Sequence, residues 1–403
     1  MQTNIIKNLL SPELTEEADK ILRSCVHCGF CTATCPTYQI FSDELDGPRG
    51  RIYLIKQMLE GEKVTKKTLT HLDRCLTCRS CETTCPSGVQ YSRLLDIGKG
   101  FAESNINRSF LMSNARKILL SLLLSKKLFK NVIKALQPTT MLLPKKFKAK
   151  LKISRSNLDW PKTQHQRKVI LLTGCAQDTF APNIDKNLAH LLDKCNIQTI
   201  PFDGCCGALA QHMSAEEKAA ISMKSNIDRW TDFIKYHKGI EAIMMSSSGC
   251  GITLKDYKKY FQHDAEYKDK AEKISMLVKD PIQLLEKEQR HLSQRLPSTL
   301  SFHAPCTLQH GLGVHTQVES LLISLGYTLN IIKDSHLCCG SAGSYSIFHP
   351  KISSQLLNNK ISALEDERPD IIATSNIGCL MHLNTQAKKE VKHWISVVFE
   401  NLK

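Results

Sequence analysis

Cys25-Val-His-Cys28-Gly-Phe-Cys31-Thr-Ala-Thr-Cys35-Pro36 returns 50 residues later as Cys75-Leu-Thr-Cys78-Arg-Ser-Cys81-Glu-Thr-Thr-Cys85-Pro86. Every cysteine keeps its place, and so does the proline. Working outward from this pair, the chain has 17 cysteines, and sixteen of them fall into four quartets. The third quartet is Cys175, Cys205, Cys206 and Cys250, and the fourth is Cys306, Cys338, Cys339 and Cys379; Cys195 is the stray and reads as structural. In a reducing compartment, cysteines in such numbers read as metal ligands or redox groups rather than disulfides.

The first two quartets have the C-x2-C-x2-C-x3-C-P spacing of bacterial-type ferredoxins, in which the fourth cysteine ligates the other cluster. Three closely spaced thiolates wrap three irons of one cubane, and the proline turns the chain toward the second. One [4Fe-4S] cluster is therefore expected on Cys25, Cys28, Cys31 and Cys85, and the other on Cys75, Cys78, Cys81 and Cys35. Paired zinc sites also use C-x2-C, but give no reason for eight cysteines in two such copies. Between the copies, Gly47-Pro48 marks a turn, and Ile52, Ile55, Met58 and Leu59 have helical period. Arg49 and Arg51 are placed either to offset cluster charge or on a solvated turn.

A length of 403 residues suits two or three domains, and 42% hydrophobic residues exclude disorder for most of the chain. No apolar run approaches the roughly 18 residues of a membrane span. The first twenty residues lack a signal core. The expected location is cytoplasmic, with peripheral contact on the cytoplasmic face of the inner membrane as an option. Much of the net charge of +15 lies between Glu103 and Asp159, where thirteen Lys or Arg occur without one acidic residue. Lys127, Lys130 and Lys134 fall on one helical face and Leu124, Leu128 and Val132 on another, with Pro138 and Pro144 limiting the helix. Three readings stand for this bridge: docking on an acidic partner, lying on an anionic bilayer, or a solvated basic face. No nucleic-acid recognition motif or aromatic interleaving accompanies the charge, which excludes nucleic acid.

Beyond residue 165, apolar runs alternate with helical stretches. Lys168-Val-Ile-Leu-Leu-Thr-Gly-Cys175, then Thr199 to Phe202 before Cys205-Cys206-Gly207, then Glu241 to Cys250, read as strands running into cysteines. The order repeats in Leu300-Ser-Phe-His-Ala-Pro-Cys306, Thr328 to Ile332 before Cys338-Cys339-Gly340, and Asp370 to Cys379. Parallel strands gather ligand sites at their carboxyl ends, so distant thiols converge there. Buried structural cysteines and a vicinal redox dithiol are the alternatives. The predicted class is α+β multidomain. A mainly α-helical two-cluster ferredoxin domain (1–105) and a basic linker with an amphipathic helix (106–165) precede two duplicated α/β parallel-sheet Cys-Cys-Gly domains (166–295 and 296–403).

Twin ferredoxin motifs ahead of two Cys-Cys-Gly units resemble the family of heterodisulfide reductase, the anaerobic glycerol-3-phosphate dehydrogenase small subunit, lactate-utilisation iron-sulfur proteins and bacterial glycolate oxidase iron-sulfur subunits. Asp46-Gly-Pro-Arg-Gly-Arg-Ile-Tyr-Leu-Ile-Lys56, His303-Ala-Pro-Cys306-Thr-Leu-Gln-His310, His336-Leu-Cys-Cys-Gly-Ser-Ala-Gly343 and Asn376-Ile-Gly-Cys379 are similar to the last of these. The resemblance implies FAD-containing partner subunits that oxidise glycolate to glyoxylate, with this chain passing electrons toward quinone. Members with a cluster in the Cys-Cys-Gly domain end each unit in C-x2-C, whereas here the endings are Cys250-Gly-Ile-Thr253 and Cys379-Leu-Met-His382. Two outcomes follow: one or two further iron-sulfur clusters on the third and fourth quartets, with His382 as a nitrogen substitute, or an empty half. His303 and His336 are candidates to relay protons to quinone, against ordinary structural roles.

No G-x-G-x-x-G opens a βαβ unit, and Gly311-Leu-Gly-Val-His-Thr316 stops after two glycines. Two-electron oxidation of a hydroxy acid needs a flavin or nicotinamide, so the substrate chemistry belongs to a partner. The leading expectation is an electron-transfer subunit. A self-sufficient disulfide or quinone reductase, a non-catalytic anchor, and the equivalent glycerol-3-phosphate or lactate subunit are the other readings.

Overall fold

The computed structural model describes residues 1–136, 153, 158–292 and 298–402. Four helices, Pro12–Ser24, Pro48–Leu59, Lys66–Asp73 and Tyr91–Asn105, form the core of the N-terminal part. Each start follows from its sequence. Ser11 caps the first helix by accepting from the Leu14 amide, with Pro12 in the first turn, and Thr65 and Thr68 form a reciprocal capping box on the third. Their inward residues, among them Leu22, Ile55, Leu59, Leu72, Leu94 and Leu95, are fully buried in one apolar cluster. The predicted helix after Gly47-Pro48 is therefore present, and its apolar residues face this core.

The remainder is built on two sheets. Strands β1 (Arg167–Thr173), β2 (Ile197–Asp203), β3 (Ile240–Met244) and β4 (Val278–Lys279) lie in the order β2-β1-β3-β4. Strands β5 (Thr299–His303), β6 (Thr328–Leu329), β7 (Ile371–Thr374) and β8 (Glu390–His393) lie in the order β6-β5-β7-β8. All pairings are parallel, β1 running beside β2 from Arg167↔Ile197 to Thr173↔Asp203. Val169 to Leu172 are buried on both faces, which is why this strand reads as a continuous apolar run. The duplication seen in the cysteines is thus a duplication of topology. Beneath the two sheets the apolar core is continuous: Leu171, Leu188 and Met244 share a cluster with Phe302, Trp394 and Ile395.

Among its described residues the basic bridge has two helices, Phe110–Leu124 and Lys126–Leu136, separated by Ser125 in extended conformation. That break resets the helical phase. Phe129 and Ile133, rather than Leu128 and Val132, are the buried pair, packed with Phe180, Ile184 and Ile377, while Leu128 is 49% exposed. Lys126 reaches Asp178 at 3.2 Å and also pairs with Asp203, and Lys130 reaches Asp178 at 3.2 Å. Part of the basic face is therefore used inside the chain, against the first α/β unit. Pro138, Pro144 and the side chain of Lys127 lie outside the described residues. No helix among the described residues is long and apolar enough to cross a membrane.

Candidate metal centres

The two ferredoxin-type loops are copies in backbone as well as sequence. His27 (φ 55°) and Gly29 (φ 84°) in one match Thr77 (φ 52°) and Arg79 (φ 63°) in the other. These left-handed residues turn amides inward, and the Thr77 amide donates to Cys75 Sγ at 3.4 Å. Short helices Phe30–Ala33 and Ser80–Thr84 then carry Cys31 and Cys81. The fourth cysteines cross over. One cavity, about 430 Å³ counted out to solvent, is lined by Cys25, Cys28, Cys31 and Cys85. The other, about 300 Å³, is lined by Cys35, Cys75, Cys78 and Cys81. Pro48, Cys81 and Tyr91 border both.

Electrostatics define what these cavities can hold. Burial, and then the neighbouring Cys25, push the Cys31 thiol up to about 11. Burial also raises Cys25, with Cys85 and Cys28 adding to it, and holds Cys78 and Cys81 well above the usual thiol range. Clustered buried thiols ionise together only around positive charge, which is what an iron-sulfur core supplies. The donor sets therefore fit [4Fe-4S] clusters. Arg51, 1% exposed, borders the second cavity. It donates to the His71 carbonyl at 2.7 Å and Thr37 Oγ1 at 3.1 Å, and pairs with buried Asp46 at 3.5 Å. Arg49 borders the first cavity but shares its charge with Glu44 at 2.6 Å. Tyr91, whose hydroxyl donates to Cys75 Sγ at 3.6 Å, went unnoticed in the sequence, where a lone tyrosine opening a helix has no special signal.

The other two quartets sit beyond the carboxyl ends of strands. Cys175 opens a short helix after β1, Cys205-Cys206 follow β2, and Cys250 lies in helix Ser248–Lys255 after β3. Cys306, Cys338-Cys339 and Cys379 occupy the same places after β5, β6 and β7. Both motif glycines are left-handed at φ +87°. This aims the Gly207 amide at Cys205 Sγ (3.5 Å) and the Gly340 amide at Cys338 Sγ (3.4 Å). In the third quartet, hydrogen bonds from Cys175 and then Cys206 hold the Cys205 thiol down, and the same bonds raise those two partners. In the fourth, Cys339 and Cys379 sulfurs are 3.4 Å apart.

The three histidines singled out in the sequence, His303, His336 and His382, all lie in the second unit. His382 Nε2 lies 3.2 Å from Ser353 Oγ. The histidine beside the thiols is His303, which shares a 4.8 Å sphere of ligand atoms with Cys339 and Cys379. His336 is half-buried, and its carbonyl accepts from His310 Nε2 at 2.9 Å.

The second ferredoxin loop wedges between the two α/β units. Arg79 forms an ion pair with Asp256, and Thr77 Oγ1 lies 3.5 Å from His212 Nδ1, both in the first unit. Thr83 Oγ1 lies 2.9 Å from His310 Nδ1, and Tyr345 donates to the Arg74 carbonyl at 3.0 Å, both in the second. Cys78 shares one apolar cluster with Leu76, Tyr345, Cys306 and Cys338. The second cavity thus abuts the fourth quartet, while Cys28 of the first cavity is exposed.

Comparison with known proteins agrees with this layout. Residues 21–89 match the 4Fe-4S dicluster domain family, and residues 169–255 and 300–384 each match the cysteine-rich domain family. The glycolate oxidase iron-sulfur subunit of Escherichia coli (strain K12) is 46% identical over 100% of this chain and 99% of its own. The chain belongs to the glycolate oxidase iron-sulfur subunit family. A probable glycolate oxidase iron-sulfur subunit of Bacillus subtilis (strain 168) is 27% identical over 92% of this chain and 90% of its own. Lactate utilization protein A of Geobacillus sp. (strain WCH70) is 27% identical over 56% of this chain and 94% of its own. As a member of this family the chain is an iron-sulfur protein, with a ferredoxin-type dicluster part and two Cys-Cys-Gly parts.

Proposed function

We propose that this chain is the electron-transfer subunit of a complex whose FAD-containing partners oxidise glycolate to glyoxylate, and that it delivers the electrons to a quinone. The observation that carries the reading is the order of the thiol sets: an exposed cysteine at the first cavity, a second cavity that shares Pro48, Cys81 and Tyr91 with the first, and the fourth quartet packed against the second. In this reading Cys25, Cys28, Cys31 and Cys85 would hold one [4Fe-4S] cluster, and Cys75, Cys78, Cys81 and Cys35 the other. Cys175, Cys205, Cys206 and Cys250, and Cys306, Cys338, Cys339 and Cys379, would hold further iron-sulfur groups. When bound, such clusters accept and release single electrons.

The chain's own residues then do three things. The inward amides and Arg51 offset thiolate charge at the second cavity. The apolar cluster around Cys78 and Cys338 excludes water between two thiol sets. Exposed Val26, Phe30 and Tyr53 near Cys28 form the apolar face offered to the flavoprotein. For peripheral contact with the inner membrane, the face offered is Phe110, Leu111 and Ile118, all strongly exposed on a helix of the basic bridge.

Glycolate added anaerobically to the complete complex should reduce its iron-sulfur EPR signals. Reduction by lactate or glycerol 3-phosphate but not by glycolate would overturn the substrate. Reduction by none of the three would overturn the electron-transfer reading.

A further inference from the structure

We infer that His303 is a nitrogen ligand of the metal group in the second Cys-Cys-Gly unit, beside Cys339 and Cys379. This rests on the reading that the fourth quartet holds metal. His303 ends β5, is 2% exposed, and offers a ring nitrogen within 4.8 Å of both sulfurs. Its buried Nε2 has no hydrogen-bond partner among the described residues. A buried nitrogen left without a partner is destabilising unless something satisfies it. Coordination through Nε2 would do so.

Distances agree. Ligand atoms around one tetrahedral ion, at about 2.0–2.3 Å from it, lie about 3.3–3.8 Å apart. The 3.4 Å between Cys339 and Cys379 sulfurs matches that spacing. The residue is also unmatched in the other half. Cys306 corresponds to Cys175, so His303 corresponds to Leu172, which is buried in an apolar core. The two units share topology and cysteines but not this nitrogen, and the one that has it packs Cys306 and Cys338 in one cluster with Cys78. A buried cation completes the second site: Lys360 Nζ is held on the Asp334 and Ser335 carbonyls at 2.8 and 3.3 Å, and its charge reaches Cys339 and Cys338. A thiolate set with one imidazole suits iron of a cluster or a zinc ion.

The test uses the anaerobically purified full chain labelled with 15N-histidine. Pulsed EPR of the reduced protein reads nitrogen coupled to iron, and X-ray absorption reads nitrogen bound to zinc. We expect one such nitrogen in the wild type, its loss in His303→Leu, which copies Leu172, and its retention in His382→Gln. Unchanged ferredoxin EPR signals show that each variant is folded; if His303→Leu is not, His303→Gln takes its place. Metal in the second unit with sulfur donors only, or nitrogen persisting without His303, overturns the inference and leaves the metal reading standing. No metal beyond the ferredoxin clusters overturns both.

Discussion

Gly340 and Gly207 show how much one hydrogen atom in place of a side chain decides. Both sit at φ +87°, where a side chain costs about 1–2 kcal/mol. Their surroundings differ. A Cβ on Gly340 would lie 2.7 Å from the Ser353 carbonyl oxygen, which is backbone and cannot move alone. A Cβ on Gly207 would first meet the end of the Met223 side chain at 2.8 Å, which can swing. Gly340→Ala should therefore lower the guanidinium midpoint more than Gly207→Ala, and the reverse order would contradict the packing. Asp185 gives a second prediction. Burial lifts its carboxyl to about 7, against the hydrogen bonds from Ser246 and Gln177 that favour its charged form. The unfolded value is about 3.9. Between the two the native state binds the extra proton, so this group's contribution to stability falls as pH rises from about 4 through about 7. Asp185→Asn should flatten that part of the stability profile measured by denaturant titration. An unaltered slope would remove Asp185 as its source.

Among the helices and strands, the sequence was most legible where a pattern had one explanation. Val169 to Leu172 and Ile371 to Ala373 are apolar because both sheet faces are covered, and they lie in β1 and β7. Strand β4 is two residues long, and β8 alternates charge with apolar Val391, so neither carries a run to notice. The bridge shows the opposite failure. Ser125 is no strong breaker, yet one extended residue there hands the buried face to Phe129 and Ile133. An uncovered apolar face lies on the preceding helix, where Phe110, Leu111 and Ile118 are 79, 81 and 69% exposed. If this helix makes the membrane contact proposed above, changing all three to Gln should abolish flotation with anionic vesicles without altering iron content. Undiminished flotation would show that another surface makes the contact.

For the molecule as a whole, spacing announced the two ferredoxin motifs, and repeat order announced the two parallel sheets. It did not announce how they meet. Cys78 and Cys338 share an apolar cluster because Tyr345 and Arg74 fasten the second ferredoxin loop to one unit, while Arg79 and Asp256 fasten it to the other. No local pattern encodes such contacts between distant segments. Nor does one distinguish His303 from His382, since strand ends and helix turns converge only in three dimensions. This convergence supports the proposed route, from flavoprotein through the ferredoxin part into the second Cys-Cys-Gly unit. The most direct test is Cys78→Ser in the complete complex, followed by stopped-flow measurement of flavin reduction by glycolate and of quinone reduction. Flavin reduction at the wild-type rate with quinone reduction lost is the predicted result; quinone reduction continuing unchanged would contradict the route.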